Sequence, residues 1–460
     1  MTSTILDEST IRIIRGRFEG ELLEPGEDGY DEARIVHNAM IDRKPRLIVR
    51  CTGAADVVAG VLLAGETGLP LAIKSGGHGV NGHAICDDGI MLDLSPMKRI
   101  DVDPEARVAR AQAGVTWSEF DAATQAHGLA TTGGRVTTTG IAGLTLGAGS
   151  GWLERMYGFT SHNLIAAEVV TADGRVVHAS ADENEDLLWG LRGGGGNFGV
   201  VTQFEYRLYE VGPMVTGGMV LWPLEQAGDV VRFYRDWIES APDEVGGGAA
   251  VLVAPPEPFV PEELHGKPVV AVIPISFGDP ELLRPIREFG SPFADLVGPM
   301  PYTAVQTLID ATNQPGNLNY WKAEAVEDLT DELIDLVIAH GARIGSPFTV
   351  SFFQPLGGAL ERLDPGLTAI SPRPGKWVLH AIGVWMTEAQ SDAEMAWVRE
   401  WGEFTKPYVR AGVPLTFSAD TGDERVRETF GQEKYARLLA LKDKYDQGNL
   451  FRLNQNIKPS

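Results

Sequence analysis

Cysteine is nearly absent from this chain, with only Cys51 and Cys86, so no disulfide framework holds it together. Basic residues are also in short supply. The 39 Lys and Arg face 63 Asp and Glu, for a formal net charge of -24. Such a surface repels nucleic acid and anionic lipid, so neither is expected as a partner. No apolar run approaches the length of a membrane span. Met1–Gly20 is polar and acidic, without the apolar segment of a secretory signal, and cytoplasmic residence is the expectation. The composition is otherwise that of a globular protein, with 43% hydrophobic and 22% charged residues. A chain of 460 residues exceeds one ordinary domain.

Glycine is what the chain has in quantity, and its 54 glycines cluster. One cluster is Lys74-Ser75-Gly76-Gly77-His78-Gly79-Val80-Asn81-Gly82. A second runs from Gly133-Gly134 through Val136, Thr138, Thr139 and Gly140 to Gly143, Gly147, Gly149 and Gly151. The third is Gly193-Gly194-Gly195-Gly196-Asn197-Phe198-Gly199. Glycine admits positive φ and has no Cβ, so successive N–H groups can converge on an anion. Three such segments together can wrap one large dinucleotide whose phosphates are held by backbone, as an acidic chain requires. None is a good dinucleotide fingerprint of the Gly-x-Gly-x-x-Gly type, and no phosphate-loop lysine pattern is present.

The local pattern places the first cluster at the end of a β-α-β unit. Arg46–Cys51 and Leu69–Lys74 read as strands, and Asp56–Gly68 as a helix capped by Gly68. Thr116 and Glu119 form a capping box. Asp173-Gly174 is a hairpin turn, and Val200–Leu208 alternates as a half-buried strand does. After Val211-Gly212-Pro213 the glycine loops give way to tryptophans, strands and longer helices, the signature of a second, α+β domain. The amide-rich tail Asn449–Asn456 follows a helical stretch and needs partners, so it is expected to pack back on the first domain. His78 itself admits three readings at this level. It can bond to nearby backbone, join His83 and Cys86 at a metal, or act as a nucleophile toward a cofactor. No fourth ligand or recognised ligand spacing accompanies the metal reading, and no metal is expected.

The turn Ser75-Gly76-Gly77-His78, followed by Asn81-Gly82, resembles that of covalent FAD oxidoreductases of the vanillyl-alcohol-oxidase fold. More narrowly, the chain resembles the berberine-bridge-enzyme-like branch. Tyr30–Arg34, Pro45–Arg50, Gly193–Val201 and the tail Lys444-Tyr445-Asp446 with Asn449–Asn456 carry the likeness over nearly the whole length. The resemblance implies a PCMH-type FAD-binding domain of two α/β subdomains over residues 1–212. An α+β substrate domain over the flavin (213–415) and a returning C-terminal segment (416–460) complete the implied plan. It implies FAD joined through His78 alone, since Val136 stands where doubly linked members have cysteine. Lys74, Ser75, Gly76, Gly77, Gly79, Val80, Asn81 and Gly82 would cradle the cofactor from one side, and Thr138, Thr139, Gly140, Gly143, Gly147 and Gly151 from the other. Val200 would lie near the adenine, with Asn454 and Asn456 reaching the flavin from the tail.

The same resemblance implies hydride removal from a small-molecule alcohol or amine, such as a secondary metabolite, alkaloid or sugar, with O₂ reoxidising the cofactor to release H₂O₂. A monooxygenase-like tailoring enzyme or a non-catalytic flavin protein are the alternatives. Thr139 matches the oxygen-gating position, and Lys322, Tyr320, Gln354 and His380 are candidates for the reaction or the pocket wall. Pro414-Leu415-Thr416-Phe417 replaces the stretch that usually carries a catalytic tyrosine. A monomer or homodimer is expected.

Overall fold

The computed structural model describes residues 8–370, 375–410 and 422–460. Its first four-stranded sheet has the order Glu21–Leu23, Leu47–Arg50, Ile90–Asp93, Leu71–Lys74. Leu47–Arg50 and Leu71–Lys74 flank the helix Ala54–Thr67 and both run parallel to Ile90–Asp93. The β-α-β unit is therefore present, but a third strand lies between its two. The helix ends at Gly68, whose φ of 71° is the left-handed cap that glycine takes without strain. The parallel strands are buried apolar runs, as strands covered on both faces must be.

A five-stranded antiparallel sheet follows, in the order Ile100–Asp103, Val108–Gln112, Val200–Arg207, Leu164–Val170, Val176–Ser180. The hairpin pairs Val170 with Val176 across the Asp173-Gly174 turn, and Gly174 has φ 77°. The Thr116–Glu119 capping box opens the helix Trp117–Gln125 as read.

A ten-stranded sheet dominates residues 214–410, and its registered strand pairs are antiparallel. Its middle strands run in the order Val220–Pro223, Pro268–Ser276, Val245–Val253, Val350–Pro355, Trp377–Trp385, Leu318–Val326. Helices Ala227–Ser240, Asp331–Gly341 and Ser391–Thr405 cover one face through Tyr234, Ile334, Val398 and Trp401, packed on Val251, Phe353, Leu379 and Ala381. The period of two sends the alternate residues to the opposite face, which none of these three helices covers. That face closes a cavity against the glycine segments.

The last long helix, Asp423–Tyr445, breaks at Gly431 and leads into the amide-rich tail. Leu438, Leu441, Phe451 and Ile457 join the apolar core built by residues of the first two sheets. Lys442 and Asp446 pair at 2.6 Å with neither side chain exposed. Lys442 also donates to the carbonyls of Asn197 and Phe451, and Asp446 accepts from the N–H groups of Leu450 and Phe451. The pair thus ties the tail to the third glycine segment. Removing one member of a buried pair strands the other charge, at a cost of roughly 3–5 kcal/mol. Lys442→Ala is expected to lower stability by about 3 kcal/mol or more, read as a fall in the urea midpoint. A midpoint unchanged from the parent would show that the pair does not anchor the tail.

Candidate active site

A cavity of about 1460 Å³ lies between the glycine segments and the bare face of the large sheet. Its first wall is nearly all backbone. A Cβ built on Gly76 would stand 2.3 Å from the Gly140 nitrogen, and one on Gly140 would stand 2.4 Å from the Gly76 nitrogen. The two segments therefore touch main chain to main chain, which no other residue type permits. Gly143 and Gly196 line the same wall, yet a Cβ on either would meet no protein atom within 4 Å. A side chain there would fill the cavity rather than clash with the fold, so the wall is shaped as a cradle for a ligand. Arg135 is the one Lys or Arg among the described lining residues, leaving N–H groups as the main anion donors along this wall.

His78 sits on this wall, half-buried, with its Nε2 2.8 Å from Thr138 Oγ1 and its Nδ1 3.4 Å from Thr139 Oγ1. The ring of His37 stacks on it at 4.0 Å with an interplanar angle of 23°. Burial, with the neighbouring His37, pushes the His78 pKa down to about 3. His37 is itself buried and pushed down to about 4 by burial. His78 is therefore a neutral imidazole at ordinary pH, with one nitrogen holding a lone pair. Among the described residues no group of three or more His, Cys, Asp or Glu side chains is arranged for a metal.

The opposite wall is the sheet. Directly paired residues share a face, so Phe352 opposite His380, and Trp321 opposite Ile382, point together into the cavity. Most of this wall is apolar: Met219, Leu221, Leu252, Met300, Phe352 and Ile382. Polar side chains gather at one place. Gln354 donates through Nε2 to Ser150 Oγ and to Glu154 Oε1, both at 2.8 Å. Arg135 donates to the same two groups at 2.7 Å each and pairs with Glu154. His380 Nε2 lies 2.9 Å from Gln354 Oε1. Burial, then the Arg135 charge, lowers the His380 pKa to about 3.

The structure brings Ser75, Gly76, Gly77, His78, Gly79 and Asn81 to the cavity. Thr139, Gly140, Gly143, Gly147, Val200, Gln354 and Asn454 also line it. It does not bring the others. Lys74 turns away and donates to the Ala33 carbonyl beside Asp93, so it holds the strand end instead of a phosphate. Val80 is buried in the fold and its carbonyl accepts from Asn38, while Gly82 packs on Ile41. Gly151 is pressed against the Gly133 carbonyl. Thr138 acts at one remove, through its bond to His78. Asn456 lies outside the lining, with its Oδ1 buried and without a partner, as is that of Asn454.

Lys322 and Tyr320 need correction as pocket-wall candidates. Lys322 pairs with Ala381, one residue out of phase with His380, and so faces the helical side of the sheet. Its side chain packs on Gly402, and Tyr320 carries the Arg399 guanidinium over its ring. Trp321, which the sequence analysis passed over, takes the cavity side with its indole N–H buried and unpartnered. The alternation Tyr320, Lys322, Glu324 against Trp321, Ala323, Ala325 contained that signal. The Arg135–Glu154 pair was not foreseen, because its two members mean nothing until the sheet brings Gln354 between them. Pro414–Phe417 lies outside the described residues.

Residues 45–180 match a family model described as an FAD binding domain, and residues 408–458 one described as berberine and berberine like. The (R)-6-hydroxynicotine oxidase of Paenarthrobacter nicotinovorans is 30% identical over 463 residues, covering 96% of this chain and 97% of the oxidase. The crystal structure of 6-hydroxy-D-nicotine oxidase from Arthrobacter nicotinovorans superimposes with a TM-score of 0.85 at 28% identity, over 96% of this chain and 98% of that one. The BBE-like 1 protein of Physcomitrella patens shares the fold, with a TM-score of 0.84 at 21% identity over 96% and 97% of the two chains.

The buried imidazoles set a pH dependence. His37 and His83 titrate at about 4, and His380 at about 3, against 6.5 in the unfolded chain. Below pH 6.5 the unfolded state takes up protons that the folded state refuses. Stability is therefore full above that pH and falls on acidification toward pH 4, by up to about 1.4 kcal/mol per imidazole per pH unit. The thermal midpoint is expected to drop steeply between pH 6 and 4.5, and a flat profile would mean that water reaches these rings.

Proposed function

The chain belongs to the berberine-bridge-enzyme-like family of FAD-linked oxidoreductases, and on that footing we propose that it is an oxidase of a largely apolar alcohol or amine. The reading includes FAD attached by a single bond to His78 and O₂ as the final acceptor, reduced to H₂O₂. The observation that carries it is the half-buried, neutral His78 ring, held by Thr138 and Thr139 over His37 on a wall of bare glycine backbone.

The residues present fit the cofactor. Gly143 and Gly196 leave space that a side chain would take, and the N–H groups around Gly76 and Gly140 suit a pyrophosphate. The Asn454 amide, with its oxygen buried and unpartnered, suits a polar edge of a bound group. When bound, FAD supplies the two-electron acceptor. A second bond to the protein has no candidate, since Val136 lines the cavity and neither cysteine does. Both thiols are buried, and burial pushes that of Cys86 up to about 11 and raises that of Cys51 well above its ordinary value.

The chain's own residues supply the rest. His380 is the candidate acceptor for the substrate O–H or N–H proton on the sheet wall, and Gln354 and the Arg135–Glu154 pair stand behind it. Met219, Leu221, Leu252, Met300, Phe352 and Ile382 offer no hydrogen bonds to the remainder of the substrate. A sugar would leave several hydroxyls unpaired there, at about 1–3 kcal/mol each. This favours an alcohol or amine on an apolar skeleton over a saccharide.

His78→Ala is expected to leave FAD extractable by acid precipitation, whereas the parent pellet keeps its yellow colour after washing. Parent protein that releases all its flavin to acid would remove the covalent bond from the proposal. In an anaerobic panel, apolar alcohols and amines are expected to bleach the flavin and to yield H₂O₂ when air is admitted. Bleaching by sugars alone would overturn the substrate class, and labelled oxygen found in the product would replace the oxidase with a monooxygenase.

A further inference from the structure

Two hydrogen bonds join a buried ion pair to the imidazole on the cavity wall through Gln354, and each has a fixed direction. Glu154 is surrounded by donors: Arg135, Ser150 Oγ at 2.6 Å, the Gly151 N–H at 3.2 Å and Gln354 Nε2. A carboxylate in that setting only accepts, and a guanidinium only donates. The Gln354 amide between them therefore has one orientation. Its NH₂ group must face Glu154 and Ser150, because the reversed amide would set its oxygen against the carboxylate. The amide oxygen is thereby turned to His380, 2.9 Å from Nε2. An amide oxygen cannot donate, so the hydrogen on that contact belongs to the imidazole.

We infer that Gln354 is a positioning residue that locks His380 as the tautomer protonated on Nε2, with the lone pair on Nδ1. The ring is neutral at ordinary pH, since burial opposes a second proton. In that tautomer the basic nitrogen is Nδ1, and any proton that His380 takes up is held there. The imidazolium so formed donates from both nitrogens, and its Nε2–H stays bonded to Gln354. This deepens the proposed function, where His380 takes the substrate proton, but the tautomer itself rests on the network alone. It also gives the Arg135–Glu154 pair a purpose: a charge pair at the cavity edge sets which nitrogen of a ring two residues away is basic.

The test is a long-range proton–nitrogen correlation spectrum of the holoenzyme labelled with ¹⁵N-histidine, with the His380 signals assigned by their loss in His380→Gln. The expected result is a protonated Nε2 and an unprotonated Nδ1. A protonated Nδ1 in the parent overturns the inference, whatever any variant does. Gln354→Met keeps the bulk and removes the acceptor. It should turn the single tautomer into a mixture and lower kcat by roughly 10²-fold, with little change in KM and with flavin content close to the parent, while the buried groups it leaves unpaired lower the thermal midpoint. An unchanged tautomer in Gln354→Met also overturns the lock. The two readings fail separately. A spectrum with protonated Nε2 together with full activity of His380→Gln would uphold the lock and remove His380 from the reaction.

Discussion

The contact of two glycine backbones, at Gly76 and Gly140, is the constraint from which the site follows. The segments approach so closely that a methyl group on either would fall about 2.3–2.4 Å from a main-chain nitrogen of the other. Everything along that wall depends on this approach. It sets His78 against Thr138 and Thr139, which come from the second segment and not from its own turn. It lines the trough with N–H groups where a strongly acidic chain has few cations to offer. A protein with a net charge of -24 must hold any phosphate mainly with backbone dipoles, because its Lys and Arg are spent elsewhere. Lys74, next to the turn, shows where: it is engaged with Ala33 and Asp93.

The large sheet divides its residues between two environments, and the period of two is the divider. One face carries Tyr234, Trp401 and their neighbours as ordinary core under helices. The other presents an apolar hall with its polar groups gathered at the Arg135–Glu154 end. A buried ion pair does not in itself add stability, since desolvation offsets much of the Coulomb gain. Its retention makes sense where its direction is used, and here the direction passes through Gln354 to His380. Polar groups clustered on an otherwise apolar sheet face orient a substrate as well as admit it.

Much of this was legible in the residues. The strand-helix-strand run before the first turn, the capping box at Thr116, the Asp173-Gly174 hairpin and the long last helix all follow from local rules that need no partner. The three glycine segments were legible as ligand-facing for the same reason: a missing Cβ is a property of the residue itself. The standing of His78 was not, since its turn admits several roles and only the family resemblance chose among them.

What the sequence by itself determined, then, is the set of elements and the backbone-lined wall, because propensity, caps and glycine act within a few residues. Only the tertiary structure decided which side chains meet across the cavity. Lys322 and Trp321 are adjacent in the chain, and strand register alone sends one to the helices and the other to the site. Ser150, Glu154, Arg135, Gln354 and His380 come from three separate stretches of sequence, and their hydrogen bonds exist only once the sheet closes over the glycine wall. Local patterns carry the period of an element. They do not carry its phase against a distant neighbour, and the chemistry of this site depends on that phase.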